Sequence, residues 1–115
     1  MRFFNAQLAI PLAALLLLVL PAFGQLTSGN ISGTVFDPTG ATVPNADVVA
    51  ARDATGVENT THTTSAGDYR FENLPVGRYT IVVTAPGFNK AELKNVNVDL
   101  NVTITANVNL AIGQS

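Results

Sequence analysis

Apolar and polar side chains alternate with a period of two along most of the chain after residue 25. One such run is Gly77 to Ala85, in which Tyr79, Ile81 and Val83 fall on one face, and arginine and threonine side chains fall on the other with Val82 as the exception. This alternation is typical of a β-strand that buries one face. Since no helical period competes with it after residue 25, the pattern predicts an all-β protein.

A second alternating run precedes this strand and is joined to it by turn residues. Tyr69 and Phe71 share one face of that run, and charged side chains occupy the other. The segment Asn73-Leu-Pro-Val-Gly77 then separates the two runs. Proline fixes one backbone angle and glycine permits a positive one, so the segment predicts a tight connection between two antiparallel strands.

The same alternation predicts strands earlier and later in the chain. Residues 31–35 and 46–50 alternate, and turn sequences follow both. Residues 57–64, Val57 to Thr64, are nearly all polar and rich in threonine, which favours an edge strand whose outer face and rim meet water. The longest alternation predicts one last strand, with an apolar face made of Val102, Ile104, Ala106, Val108, Leu110 and Ile112.

The segment from Gly87 to Val98 follows the period less strictly. Leu93, Val96 and Val98 cannot all lie on one face of a regular strand, so we expect a bulge or bend near Asn95. A bulge adds one residue to a strand and thereby resets which side chains point inward.

About seven short strands, separated by Gly, Pro, Asn and Asp, predict an antiparallel immunoglobulin-like β-sandwich. Tyr79 lies on an inward face of this sandwich. We expect its hydroxyl to bond to the backbone, because a buried phenol without a partner costs about 1–3 kcal/mol.

The first 24 residues have the layout of a secretory signal peptide. Arg2 opens the chain with no acidic residue, an apolar run follows from Leu8 to Leu20, and small residues occur at Ala22 and Gly24. The run spans about 13 residues, whereas a helix that crosses a membrane needs roughly 20. We therefore expect residues 1–24 to be a signal peptide helix that is removed before Gln25.

Residues 25–115 then form one domain with no membrane span after cleavage. The chain has no cysteine, so its stability must come from core packing rather than cross-links. Without Arg2, five of the six basic residues remain against eight acidic ones, a net charge of about −3. Such a chain lacks the basic surface that neutralises phosphates, so we expect no nucleic-acid partner.

Patterns for catalysis or metal binding are sparse. His62 is the only histidine and has no second imidazole or thiolate to complete a transition-metal site, so we expect a solvated surface side chain. The serines at 28, 32, 65 and 115 do not occur in a Gly-x-Ser-x-Gly turn. The aspartates at 37, 47, 53 and 68 form no dense calcium loop. We expect no catalytic residues, no metal and no cofactor.

An ordered set of motifs resembles the carboxypeptidase regulatory-like domain, which has a transthyretin-like (prealbumin-like) sandwich fold. The likeness covers nearly all of residues 25–115, and its spacing is more specific than any single motif. The motifs are Ile31-Ser-Gly-Thr-Val35, Asp37-Pro-Thr-Gly40, Val43-Pro-Asn-Ala-Asp-Val48, Thr55-Gly56, Gly67-Asp-Tyr-Arg-Phe71, Leu74-Pro-Val-Gly-Arg-Tyr79 and Ala85-Pro-Gly-Phe88.

The resemblance implies a non-catalytic module, because the zinc and catalytic groups of the peptidases belong to a separate domain. In bacteria this domain often follows a signal peptide at the N-terminus of TonB-dependent outer-membrane receptors, including Oar-like proteins. Those receptors continue into a plug and a barrel, whereas this sequence stops at Ser115. We therefore expect either a stand-alone copy or a truncated receptor.

Two functions follow from this sequence as alternatives. The first is an exported structural or interaction module of the cell envelope, which offers the edge strand Val57 to Thr64 to a protein partner by β-augmentation. The second is a carbohydrate-binding domain, since the resemblance extends to carbohydrate-binding-like folds. Phe36 and Phe88 are the weak candidates for its ring platform, because alternation points the other aromatic side chains inward. Either function places the protein in the periplasm, at the outer membrane or outside the cell.

Overall fold

A computed structural model describes residues 27–113 of the chain. The predicted signal peptide, its cleavage site at Gln25 and the residue Ser115 lie outside this range. Residues 27–113 contain eight β-strands and no helix, so none of their elements is a membrane-spanning helix. The strands are β1 Ser28–Phe36, β2 Asp47–Arg52, β3 Glu58–His62, β4 Asp68–Pro75, β5 Gly77–Thr84, β6 Ala91–Val98, β7 Thr103–Thr105 and β8 Val108–Asn109.

The strands form two facing sheets. The first has β1 at its centre, with β4 on one side and β7 and β8 on the other, and the second has the order β3-β2-β5-β6. All pairings in the second sheet are antiparallel, as is the β1–β4 pair. β1 pairs in parallel with β7 and with β8. The predicted β-sandwich is therefore confirmed. The parallel pairing of β1 with β7 and β8 was not evident from the side-chain pattern.

One hydrophobic core lies between the two sheets. The inward faces predicted from alternation are confirmed for β1, β2, β4 and β5, whose apolar residues are at most 5% exposed at these positions. These residues are Ile31, Val35, Val48, Ala50, Tyr69, Phe71, Tyr79, Ile81 and Val83. Burial of this apolar surface is the main stabilising contribution in a domain without disulfides.

Two bulges adjust the strands to this core, and each contains an asparagine with a positive φ angle. In β6 the register shifts between Val96 and Leu93, so that Lys94 and Asn95 lie opposite one residue of β5. Asn95 has a φ of 60°, and the bulge predicted near it is confirmed. The second bulge lies in β4 at Asn73, which has a φ of 58°. It turns Leu74 inward, so β4 extends to Pro75 and only Val76 separates it from β5.

Tyr79 is fully buried, and its hydroxyl donates a hydrogen bond of 2.7 Å to the carbonyl of Pro75. This confirms the predicted backbone partner. Burial raises the pKa of Tyr79, and the nearby positive charge of Arg52 partly opposes that shift.

The last predicted strand needs correction, because it is divided into β7 and β8. Ala106 and Asn107 interrupt it, and the backbone N–H of Thr34 bonds to the side-chain Oδ1 of Asn107 (2.9 Å) rather than to a carbonyl. The two ends of the predicted apolar face are also wrong: Val102 is 47% exposed and Ile112 is 60% exposed. Val102 belongs to a turn that its N–H closes onto the carbonyl of Asp99, and Ile112 lies beyond β8, where it bridges to Phe88.

Candidate functional site

Strand β3 is the free edge of the second sheet. Among residues 27–113 it pairs only with β2, with Asp47 opposite His62 and Ala51 opposite Glu58. Four of its five residues are exposed, and Thr61 is half-buried. The edge strand predicted within Val57 to Thr64 is therefore confirmed as Glu58–His62.

The register determines which backbone groups of β3 face outward. Thr63 donates its N–H to the carbonyl of Ala46, and the carbonyl of Val57 accepts from Arg52 at the other end of the strand. Residues of an antiparallel strand turn their backbone groups toward and away from one neighbour in alternation. The odd-numbered residues thus bond to β2, and Glu58, Thr60 and His62 direct N–H and C=O groups to the free edge.

Thr63 fixes the point at which the chain leaves β3. Within residues 27–113 it is the one polar residue that is buried, with 5% exposure. Its hydroxyl donates to the carbonyl of Val43 (2.8 Å) and accepts from the N–H of Ala46 (2.7 Å). The next residue, Thr64, donates its N–H to the carbonyl of Asp68, at the start of β4. The edges of β3 and β4 therefore lie on the same side of the sandwich, which we call the open side.

His62 lies at the end of this edge. Its side chain is 59% exposed, which agrees with the predicted surface position. Its Nε2 lies 2.8 Å from Oδ1 of Asp47 on the neighbouring strand. Sequence reasoning missed this pair, although the turn at Asp53-Ala-Thr-Gly56 between β2 and β3 would have placed the two residues opposite each other.

A groove of about 510 Å³ lies beside β3 on the open side. Hydroxyl, amide and charged side chains dominate its walls, so it presents many hydrogen-bonding groups. The lining residues are Ser32, Gly33, Thr34, Thr61, His62, Thr64, Asp68, Tyr69, Arg70, Thr105 and Asn107.

The four aspartates considered for a cation each have a different protein partner. Asp47 pairs with His62, and Asp68 accepts a 2.7 Å hydrogen bond from the Thr34 hydroxyl. Asp53 lies 3.0 Å from Nε of Arg78. Within residues 27–113, no three His, Cys, Asp or Glu side chains are grouped so as to hold a metal ion.

Asp37 stabilises the turn after β1. Its Oδ1 accepts hydrogen bonds from the Thr39 hydroxyl (2.7 Å), the Thr39 N–H (2.8 Å) and the Ala41 N–H (3.0 Å). The bond from the Thr39 hydroxyl is the largest of the effects that lower the pKa of Asp37, and the backbone N–H groups add to it. This carboxylate has a structural role in the turn.

The aromatic side chains are mostly committed to the core. Tyr69 and Phe71 pack edge to face with ring centres 5.9 Å apart, and the Tyr69 hydroxyl donates to the carbonyl of Ala106. Of the two candidates for a sugar platform, Phe36 is half-buried at the end of β1. Phe88 is half-buried and packs against the core, and neither residue lines the groove beside β3.

The opposite side of the sandwich is closed by β6 and the segment 106–113, and we call it the closed side. Asn89 donates its N–H to the carbonyl of Ala111, and Gly113 donates to Gly87. The buried side chains of this side are aliphatic, and Val98 and Leu110 are 1% and 3% exposed. The open side is therefore the one that leaves strand edges available.

Known structures share this fold at low sequence identity. The TIE protein of Bacillus anthracis has 14% identity and a TM-score of 0.63, over 75% of this chain and 17% of its own. A protein of Bacteroides uniformis that has been proposed to bind carbohydrate has 20% identity and a TM-score of 0.58, over 70% and 40%. Catechol 1,2-dioxygenase from Pseudomonas arvilla has 12% identity and a TM-score of 0.60, over 80% and 55%.

This chain thus spans at most about half the length of these three proteins, and the likeness concerns the fold. No curated protein matches the sequence. The model of the carboxypeptidase regulatory-like domain matches residues 30–111, which include all eight strands but for the first two residues of β1. The chain belongs to the carboxypeptidase regulatory-like domain family.

Proposed function

We propose that this protein is a non-catalytic interaction module of the cell envelope that binds an extended segment of a protein partner along the free edge of β3. The observation that carries the proposal is the outward direction of the backbone groups of Glu58, Thr60 and His62. An added strand obtains its affinity from main-chain hydrogen bonds to such an edge.

The composition of β3 supports this use of its edge. Residues 58–62, Glu-Asn-Thr-Thr-His, are polar, so they remain soluble when the partner is absent. The groove beside Thr61, His62 and Thr64 leaves space next to the strand and offers hydroxyl and imidazole groups to side chains of the partner. The family assignment adds that such domains are non-catalytic sandwiches.

The cellular setting is part of the same proposal. The signal-peptide pattern of residues 1–24 supports export, to the periplasm, the outer membrane or the cell exterior. The resemblance to the N-terminal extensions of TonB-dependent, Oar-like receptors supports an origin in a receptor of that kind.

The test compares two substitutions at one position of β3. Thr60→Pro removes an outward N–H and keeps the pairing with β2, because proline is tolerated on an edge strand whose N–H faces solvent. Thr60→Ala removes the side chain but keeps the N–H. The exported protein, immobilised and exposed to envelope extract, should retain a protein partner as wild type and as Thr60→Ala, and lose it as Thr60→Pro.

Chemical denaturation of both variants provides the control for folding. Equal capture by Thr60→Pro and wild type would show that the partner binds elsewhere. Failure of the wild-type protein to retain any envelope protein would contradict the proposal.

A second candidate function is carbohydrate binding, favoured by the hydroxyl- and amide-lined groove of about 510 Å³. The structural likeness to the Bacteroides uniformis protein points in the same direction. Titration with soluble glycans tests it: a dissociation constant below about 1 mM, equivalent to roughly −4 kcal/mol, would favour this candidate over the first. Phe36→Ala then separates two sugar sites, because Phe36 lies outside the groove: unchanged affinity would favour the groove, and lost affinity in a folded variant would favour the ring platform. Phe88→Ala also removes a ring that packs against the core.

A further inference from the structure

We infer that β3 of one molecule pairs with β3 of a second copy of this chain, in an antiparallel dimer with its two-fold axis at Thr60. The inference rests on the proposed use of the β3 edge and names a partner for it. It depends on three properties of this strand: the direction of its backbone groups, the order of its side chains, and the lack of features that protect an edge.

The backbone groups of two β3 strands match each other in an antiparallel pair. In an antiparallel pair of identical strands centred on Thr60, Glu58 lies opposite His62 of the second copy, and Thr60 lies opposite Thr60. All three of these residues direct their N–H and C=O groups to the free edge. Each opposed pair therefore exchanges two bonds, which gives about six across the interface.

The side chains are complementary in the same register. The Glu58 carboxylate faces the His62 imidazole of the second copy, and the two-fold axis repeats this pair at the other end. Each imidazole already lies 2.8 Å from Asp47 of its own chain and would gain a second carboxylate neighbour. On the other face of the strand, the Asn59 amide lies opposite the Thr61 hydroxyl, which is a hydrogen-bonding pair. Hydrogen-bonding groups across a strand pair stabilise it, and the protonated form of the imidazole adds an opposite-charge pair with Glu58.

β3 is short and carries Glu58, but it lacks four other features by which natural proteins block an edge. Lysine, proline, bulges and covering segments are the usual means of protection. The edge strand β6 has Lys94 and the bulge at Asn95, and the residues that lead into it bond to the segment 106–113. The edge strand β4 has Pro75 and the bulge at Asn73. Residues 58–62 contain no lysine, proline or bulge, and β3 pairs continuously with β2.

The experiment uses like and opposite charges at the two-fold axis. The exported wild-type protein should approach twice the monomer mass in sedimentation equilibrium, with a dissociation constant of about 10 µM to 1 mM, as expected of a small interface. Thr60→Lys and Thr60→Glu each oppose two like charges across the axis, and each should raise the dissociation constant at least about tenfold. An equimolar mixture of the two variants should recover wild-type affinity to within about threefold, because opposite charges then meet.

The matched controls are Thr103→Lys and Thr103→Glu, at an exposed position of β7 in the other sheet. Alone and mixed, they should associate as the wild type does. A wild-type protein that stays monomeric at about 1 mM, or a Thr60 mixture that stays monomeric, would overturn the inference.

Failure of this inference is distinguishable from failure of the proposed function. If the wild type is monomeric but captures an envelope protein that Thr60→Pro does not capture, the self-pairing inference is rejected and the proposed function is retained. If the mixture of Thr60 variants restores the dimer but Thr60→Pro captures envelope protein as the wild type does, the self-pairing inference is retained and the proposed function is rejected.

Discussion

The open and closed sides of the sandwich differ in how the two sheets are connected and in how much strand edge they expose. Both end in strands with unpaired backbone groups. On the closed side the segment 106–113 bonds to β1 and to Gly87 and Asn89 before β6, and the buried side chains there are aliphatic. On the open side the sheets are joined through Thr63 and Thr64, and β3 remains exposed to water. One side of this small domain is thus tied together by backbone bonds, and the other leaves strand edges exposed.

The comparison predicts that truncation of a side chain costs far more on the closed side. Leu110→Ala should lower the free energy of unfolding by about 2–5 kcal/mol, because it removes buried methyl groups and leaves a cavity. Thr60→Ala on the open side should change it by less than about 0.5 kcal/mol. Urea denaturation measures both values. Similar losses in the two variants would mean that β3 carries as much of the packing as the closed side.

The one strong constraint on the open side should be the hydroxyl of Thr63. Thr63→Val keeps the shape of the side chain but leaves the Ala46 N–H and the Val43 carbonyl without that partner. We expect a loss of about 1–3 kcal/mol in unfolding free energy. Thr61→Val, at a half-buried position of β3 two residues earlier, is the control and should cost less than about 0.5 kcal/mol. Equal unfolding free energies for the two variants would show that the chain segment after β3 does not depend on the Thr63 hydroxyl.

Tyr69 links the two sides, because its hydroxyl reaches from β4 to the carbonyl of Ala106. Tyr69→Phe should cost about 1 kcal/mol at neutral pH, the usual value of one hydrogen bond. Burial raises the pKa of Tyr69 to about 12 from its ordinary 10.0. A pKa raised in the folded state contributes stability that is fully present below pH 10 and is lost as the pH rises from 10 through 12.

Denaturation curves from pH 8 to 12 measure this contribution. Tyr69→Phe should lose stability less steeply above about pH 10 than the wild type does. Some dependence should remain, since burial also raises the pKa of Tyr79. Parallel curves for wild type and Tyr69→Phe would show that the Tyr69 phenol does not titrate with unfolding.

Much of this architecture was predictable because the side-chain period is a direct consequence of one buried face. The bulge at Asn95 was predictable for the same reason, since Leu93, Val96 and Val98 could reach the core only with an extra residue. The bulge at Asn73 was not predicted, although the buried Leu74 falls out of phase with Tyr69 and Phe71, because the residues Asn73-Leu-Pro-Val-Gly77 have the composition of a turn. The sequence instead suggested a five-residue turn.

The interruption at Ala106 and Asn107 could not be predicted from alternation, which continues through it. It depends on a close approach between distant segments: a Cβ atom on Gly33 would lie 2.0 Å from the Ala106 carbonyl oxygen. The exposed edge of β3 was predictable from its threonines. The outward direction of its backbone groups required the register with β2, and so did the pair of His62 with Asp47.

The position of β1 at the centre of its sheet also sets a time order for folding. β1 is the first strand of the described range, and its neighbours are β4, β7 and β8, so one side of it stays unpaired until residues near 109 are present. Folds dominated by such distant pairings form slowly, over milliseconds to seconds. A chain with this order of strands therefore cannot complete its first sheet until nearly all of residues 27–113 are present.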